Sequence, residues 1–257
     1  MAIRQSYCGW IFAGHGVPER ELLQRAKVIG YEGVELISEI LFSQAQDLGL
    51  KIVSHNGQPN IHLGWNDLAL HSVLEAEVQA SLALAQKHDI LNLIVFSGNR
   101  REGLSDEAGL ENTVLGLSRI APAAEEAGVT LLLELLNSKW DHAGYQCDQT
   151  AWGADVCRQV GSPRVKLLYD VYHMQIMEGD LIRTIEQNHA HIGHYHTAGN
   201  PGRQDLDQAQ ETNYSAVFQA MAATEYSGFI GHEFSPKGDP AAALQAVYDL
   251  CHTSLTL

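Results

Sequence analysis

The sequence has few of the features that mark secreted, membrane-spanning or disulfide-stabilised proteins. Its 257 residues include only four cysteines, and no two of them form a C-x-x-C pair. We therefore interpret the thiols as reduced core residues and predict a cytoplasmic location. The chain contains no run of eighteen apolar residues, and its first ten residues, MAIRQSYCGW, do not have the pattern of a signal peptide. A membrane is consequently not expected as a partner.

Positive charge is also scarce. The chain has 16 lysine and arginine residues against 31 aspartate and glutamate residues, which gives a formal net charge of −15 at pH 7. The basic residues form no cluster along the sequence. Because an acidic surface repels the phosphate backbone, we do not expect a nucleic acid as a partner and look instead to small molecules.

In place of these features, the sequence shows short apolar segments that alternate with longer amphipathic ones, roughly every thirty residues. This alternation is typical of βα units. The eight predicted strands are 3–8, 33–37, 51–55, 91–97, 129–135, 165–171, 191–197 and 229–234. The eight predicted helices are 18–29, 40–48, 67–88, 106–127, 150–160, 180–189, 214–224 and 240–251. A chain of 257 residues, 45% of them hydrophobic, has the size of one α/β barrel, so we predict a single domain over residues 1–257.

Eight βα units can assemble into a closed (β/α)8 barrel or an open doubly wound sheet. The open sheet often carries a G-x-G-x-x-G turn after its first strand, where it binds the phosphates of a dinucleotide. Residues 8–14 read CGWIFAG at that point and lack this motif. We therefore predict an α/β fold of the TIM-barrel type, which the gathering of polar residues at strand ends also favours.

Four consecutive predicted strands end in metal-ligand residue types. Strands five to eight close with, in order, Glu134, Asp170, His196 and Glu233. Barrel active sites lie at the carboxyl ends of the strands, and three carboxylates in one shielded cavity would repel each other without a cation. We predict one divalent metal ion, with Mn²⁺, Mg²⁺ or Co²⁺ suited to these donors and Zn²⁺ also compatible. For each residue alone, the structural alternative is a salt-bridged or hydrogen-bonded polar group.

Three further side chains are candidate substrate-binding residues. His173 follows Asp170 closely and is placed either to hydrogen-bond a substrate oxygen or to start a helix. Arg203 lies on a Gly/Pro-rich loop, where it either clamps a carboxylate through two hydrogen bonds or remains solvated. His55 ends the third predicted strand, and lining of the site and structural hydrogen bonding fit it equally.

The chain also resembles a known family. Residues 169–180, YDVYHMQIMEGD, resemble a signature of the hydroxypyruvate isomerases, which belong to the xylose-isomerase-like barrels. The segments 200–203, NPGR, and 211–214, ETNY, are similar to two further elements of that family, as is the pair Glu134 and Asn137. The resemblance extends over residues 129–236. It implies a barrel fold with one metal shared by strands five to eight.

The resemblance also implies roles for the candidate residues. Glu134 and Glu233 would both bind the metal and exchange the substrate proton. Asp170 and His196 would be further metal ligands, and His173 and Arg203 would contact the substrate. The implied reaction is a metal-dependent aldose–ketose isomerisation through a cis-enediolate, with hydroxypyruvate and tartronate semialdehyde as the best pair. Homo-oligomers are common among such barrels, so a homo-oligomer is a further expectation.

Two positions depart from the family pattern. His196 stands where hydroxypyruvate isomerases carry glutamine and resembles the sugar-epimerase branch, whereas Trp140 replaces a glutamate typical of ketose 3-epimerases. A first alternative is therefore isomerisation or epimerisation of a larger ketose or keto-sugar. Two others are DNA-repair endonuclease activity, which the net charge of −15 disfavours, and a non-catalytic module that binds an oxo-acid.

Overall fold

The computed structural model describes residues 3–256, and these residues build a closed barrel of eight parallel strands in the order β1 to β8. The strands are β1 Arg4–Cys8, β2 Gly33–Glu35, β3 Lys51–Asn56, β4 Asn92–Val95, β5 Thr130–Glu134, β6 Val165–Asp170, β7 Ile192–Thr197 and β8 Phe229–His232. The predicted TIM barrel is confirmed, and each strand boundary lies within two residues of its predicted position.

Ten α-helices occur within residues 3–256. They are α1 Gly9–Phe12, α2 Glu19–Ile29, α3 Phe42–Asp47, α4 His71–His88, α5 Asp106–Ala127, α6 Thr150–Val160, α7 Val171–Met177, α8 Leu181–Asn188, α9 Tyr214–Ala223 and α10 Pro240–Thr256. The prediction missed α1 and α7, which follow β1 and β6 directly and are too short to show a helical hydrophobic period. None of these helices combines the length and apolar character needed to cross a lipid bilayer.

The chain packs as two compact units. One takes in the residues up to Val53, Asp180–His189 and the residues from Tyr195 onward, and the other takes in Ser54–Gly179 and Ala190–His194. In the first unit β1 pairs with β2 and with β8, and β7 pairs with β8. In the second, β3, β4, β5 and β6 pair in sequence. That the whole chain forms one domain stays a prediction.

Strands β5 and β6 of the second unit are buried on both faces over most of their length. In β5, Leu131, Leu132 and Leu133 are fully buried, and Leu167 and Leu168 of β6 are equally shielded. The register places Leu133 beside Leu167, and Glu134 beside Leu168. A parallel strand covered on both sides needs such a continuous apolar run, which is why a charged residue at its end stands out.

Two buried tyrosine hydroxyls form hydrogen bonds with backbone groups at the ends of strands. The Tyr145 hydroxyl donates to the Glu134 carbonyl at 2.9 Å and accepts from the Ser97 amide at 3.1 Å. In the other unit, the Tyr214 hydroxyl donates to the carbonyl of Ala198 at 2.6 Å and accepts from its amide at 3.1 Å. Each hydroxyl therefore supplies the hydrogen bonds that the strand ladder no longer provides.

Replacing Tyr145 by phenylalanine should lower the free energy of unfolding by about 1–3 kcal/mol, because two buried backbone groups lose a partner. Urea unfolding at pH 7 measures this change. Tyr248→Phe is the matched control, since its hydroxyl belongs to a half-buried side chain, and we expect a change within about 0.5 kcal/mol. If both variants lowered the free energy of unfolding by an equally small amount, the stabilising role of the Tyr145 hydroxyl would be contradicted.

Candidate metal centre

His196, near the end of β7, lies between two buried carboxylates of its own unit. Its Nδ1 atom is 3.1 Å from Glu233 Oε2, and its Nε2 atom is 3.2 Å from Glu35 Oε2. The Cys8 thiol lies 3.6 Å from the same Nε2 atom. Cys8, His196 and Glu233 each offer one ligand atom, and these atoms lie within 4.8 Å of one another. A buried cluster of histidine and glutamate suggests a divalent metal site.

Glu233, which follows β8, has two further partners. The Trp10 indole donates to Oε1 at 2.7 Å, and the Arg203 guanidinium donates to Oε2 at 2.6 Å. The guanidinium carbon of Arg203 also lies 5.6 Å from the centre of the Trp10 ring. Burial by itself would raise the pKa of Glu233, but Arg203 and His196 outweigh it and hold that pKa well below its ordinary value. Glu233 is therefore an anion whose two oxygens both receive hydrogen bonds.

The charge state of His196 follows from the same surroundings. Burial alone would lower the pKa of His196, but Cys8 and Glu233 outweigh it and raise that pKa well above its ordinary value. The imidazole faces Glu233 and Glu35 with its two nitrogens, and the raised pKa favours its positively charged form when no cation is bound.

Arg203 is held in the loop after β7 rather than left in solvent. Its backbone adopts a φ of 53°, after Gly202 with a φ of 94°, and its carbonyl accepts from the Ser235 amide at 2.8 Å. Its side chain is 20% exposed and contacts Glu233. The solvated alternative for Arg203 is thereby removed, whereas its contact with a substrate stays a prediction.

The other unit presents Asp170 and His173. The Asp170 carboxylate caps α7 by accepting from the amides of Tyr172 at 2.8 Å and His173 at 3.2 Å. His173 is fully buried, and its Nε2 atom lies 3.8 Å from Asp170 Oδ2. The Asn137 side-chain amide lies 2.6 Å from His173 Nδ1. Because an amide nitrogen can only donate, His173 accepts at Nδ1 and carries its proton on Nε2.

Three other residues considered in the sequence analysis differ in how far they are buried. Glu134 ends β5 and is buried, with 6% of its surface exposed. His55 lies in β3 and is half-buried. Trp140 is 79% exposed in the loop after β5, where its amide donates to Asn137 Oδ1 at 3.1 Å. The catalytic, metal-binding and substrate-binding roles given to Glu134 and His55 stay predictions.

Sequence reasoning missed two residues that contact the predicted ligands. Glu35 ends β2 and contacts His196, and Trp10 lies in α1 and contacts Glu233. The signal for Glu35 was available, because a charged residue closes an apolar strand there as on strands five to eight. The prediction extended that strand to Ile37 and so placed Glu35 in its interior. Nothing in the sequence marks Trp10, whose position depends on the unpredicted helix α1.

Comparison with known proteins finds a matching family model and two similar relatives. A family model described as "Xylose isomerase-like TIM barrel" matches residues 23–251. The chain is 37% identical to a 2-oxo-tetronate isomerase of Cupriavidus necator over 141 residues. This aligned region covers 54% of this chain and 54% of the relative. It is also 31% identical to the hydroxypyruvate isomerase of Escherichia coli (strain K12) over 170 residues. That aligned region covers 66% of this chain and 64% of the relative.

A solved structure is similar to this chain over almost its whole length. It is a family 2 AP endonuclease from Brucella melitensis, with a TM-score of 0.84 and 24% sequence identity, covering 94% of this chain and 97% of that one. At this identity the similarity establishes the barrel fold alone.

Arg203→Met should lower the free energy of unfolding of the chelator-treated protein at pH 7 by about 2 kcal/mol. Breaking a fully buried ion pair costs roughly 3–5 kcal/mol, and we expect a smaller loss here because the Arg203 side chain is partly exposed. The pKa of Glu233 is held below its ordinary 4.5, so the stabilisation is present above about pH 4.5 and is lost as the pH falls further. Urea unfolding from pH 7 to pH 3 should therefore show the two proteins converging.

The control for this variant is Arg25→Met, which breaks an ion pair with Glu21 on α2 whose side chains are 42% and 46% exposed. We expect it to change the free energy of unfolding by at most about 0.5 kcal/mol. A pH-independent effect of Arg203→Met, or one no larger than that of the control, would refute the role given to this pair.

Proposed function

The chain belongs to the xylose isomerase-like TIM barrel family, and from that premise we propose that it is a metal-dependent isomerase of a small hydroxy-carbonyl compound. The similarity to proteins named hydroxypyruvate isomerase and 2-oxo-tetronate isomerase supports this class of reaction. The matches cover 54% and 64% of those relatives, so the activity and the substrate remain our proposal.

We propose that one divalent cation is held by Glu134, Asp170, His196 and Glu233. The observations that carry this proposal are that all four side chains are buried, and that His196 and Glu233 each offer a ligand atom within 4.8 Å of the other. Three carboxylates and one imidazole form a donor set that suits Mn²⁺, Mg²⁺ or Co²⁺ and is compatible with Zn²⁺. When bound, such an ion would act as a Lewis acid that polarises the substrate carbonyl.

The chain's own residues would move the proton. One of Glu134 and Glu233 removes the proton from the carbon that bears the hydroxyl group, which leaves a cis-enediolate. One of them then returns a proton to the former carbonyl carbon, while the hydroxyl proton passes to the neighbouring oxygen. No redox partner is needed, because the electrons that leave one carbon remain on the next.

Substrate contacts would come from the remaining candidates. His173 carries its proton on Nε2 because Asn137 occupies Nδ1, so it can donate a hydrogen bond to a substrate oxygen. Arg203 supplies a guanidinium for a substrate carboxylate, and His55 is the third residue proposed to line the site. The best pair is hydroxypyruvate and tartronate semialdehyde.

A second candidate substrate is 2-oxo-tetronate, a four-carbon oxo sugar acid. The 37% identity to a 2-oxo-tetronate isomerase is what favours it. A larger ketose or keto-sugar is the further alternative, supported by His196 in place of glutamine and by Trp140, whose exposed ring can stack on a sugar face. All of these share a hydroxyl group next to a carbonyl.

Incubation with hydroxypyruvate and Mn²⁺ in D₂O should give deuterium incorporation and an aldehyde. The reaction is followed by quenching, removing the ion and recording proton NMR spectra. Glu134→Gln and Glu233→Gln should each slow exchange by about 10²–10⁴-fold, because each removes a proton-transfer group.

Glu178→Gln is the matched control. It neutralises a half-buried carboxylate that accepts hydrogen bonds from Thr150, and its exchange rate should equal that of the wild type. Exchange with 2-oxo-tetronate or a ketose but not with hydroxypyruvate would move the assignment to that substrate, and no exchange with any would reject the isomerase.

Removal of the metal should abolish this exchange, and addition of Mn²⁺ should restore it. Asp170→Asn should weaken Mn²⁺ binding, measured by titration calorimetry, because it removes a charged oxygen ligand. Undiminished exchange after exhaustive chelation, with metal content checked by mass spectrometry, would refute the metal-dependent mechanism.

A further inference from the structure

Glu35 is a buried carboxylate to which the proposed reaction gives no role. It ends β2 and is completely shielded from water. Its Oε2 atom lies 3.2 Å from His196 Nε2, and its Oε1 atom accepts from the Ser6 hydroxyl at 2.5 Å. Burial of an ion at this depth costs several kcal/mol in lost hydration, so a carboxylate is a poor choice for filling space.

The neighbouring strand leaves room for this pair. The register places Gly231 of β8 beside Ser6 of β1 and beside His196 of β7. A Cβ atom added at Gly231 would lie 2.8 Å from His196 Cδ2 and still closer to Glu35 Oε1. A side chain at this position would therefore displace the Glu35 carboxylate or the imidazole, whereas glycine leaves both in place.

The contact determines which nitrogen of His196 keeps a proton. A carboxylate accepts hydrogen bonds, so the Nε2 atom that faces Glu35 must carry hydrogen. The Cys8 sulfur lies 3.6 Å from the same nitrogen, but a thiol is a weaker acceptor than a carboxylate. The lone pair of the imidazole is then confined to Nδ1, the atom that faces Glu233.

We propose that Glu35 is a positioning residue that holds His196 with its proton on Nε2, so that the lone pair for the cation lies on Nδ1. This inference rests on the proposed metal site and deepens it. Carboxylates that orient a ligating histidine in this way also raise its basicity, and their loss commonly weakens metal binding by about 10–100-fold. Ser6 takes part indirectly, because its hydroxyl fixes the other oxygen of Glu35.

The test measures metal affinity rather than activity. Glu35→Gln should bind Mn²⁺ about tenfold or more weakly than the wild type in a titration followed by electron paramagnetic resonance, because the amide lacks the negative charge. Glu178→Gln applies the same chemical change to a carboxylate that accepts from Thr150, and this variant should bind within about twofold of the wild type. A wild-type affinity in Glu35→Gln would overturn the proposal.

A second measurement does not depend on the folding of the variant. In wild-type protein loaded with diamagnetic Zn²⁺, nitrogen NMR of His196 should show a proton on Nε2 and none on Nδ1. A proton on Nδ1 would overturn the role of Glu35 even if the ion binds. Failure of the wild type to bind any ion would instead refute the proposed metal site, so the two failures are distinguishable.

Discussion

Buried negative charge is the constraint on which this site depends. Glu35 and Glu233 are both shielded from water, and each would be strongly unfavourable without a compensating partner. His196 contacts both, and Arg203 contacts Glu233 as well. This arrangement explains why an imidazole suits the end of β7 better than the glutamine expected from the hydroxypyruvate isomerases. A glutamine could neither carry positive charge nor face two carboxylates with two ring nitrogens.

The same constraint links cation binding to protonation. Without an ion, the raised pKa of His196 favours an imidazole with protons on both nitrogens, which can donate to both carboxylates. A cation bound at Nδ1, as proposed, would require that proton to leave, and its positive charge would then neutralise Glu233. Metal binding should therefore release a proton, as it does wherever a histidine must be neutral to act as a ligand. Glu35 would be unaffected by this exchange, because its contact is with Nε2 and not with Nδ1.

The sequence was sufficient for the architecture, whereas the site residues that it suggests stay predictions. Apolar runs such as that of β5 end in polar or charged residues, and this pattern predicted the strands and suggested the four proposed ligands. The short helices α1 and α7 could not be predicted, because four and seven residues contain too little periodicity. Trp10 was missed with α1, and the pairing of Arg203 with Glu233 depends on a loop conformation that no local pattern encodes. Glu35 was missed for a different reason, since its strand was predicted two residues too long.

The barrel fold supports many reactions, so the choice among them must come from charge at the site. An oxo-acid substrate brings another carboxylate to a cluster that already contains buried carboxylates, and the chain as a whole carries a net charge of −15. Arg203 could offset that added charge, but in this structure its guanidinium is bound to Glu233. On the proposed function, a cation that neutralises Glu233 would weaken this pairing and release Arg203 for the substrate carboxylate. An uncharged ketose would gain nothing from that release. The preference for an acidic over a neutral substrate would thus depend on the buried charge of Glu233, on which the rest of the site also depends.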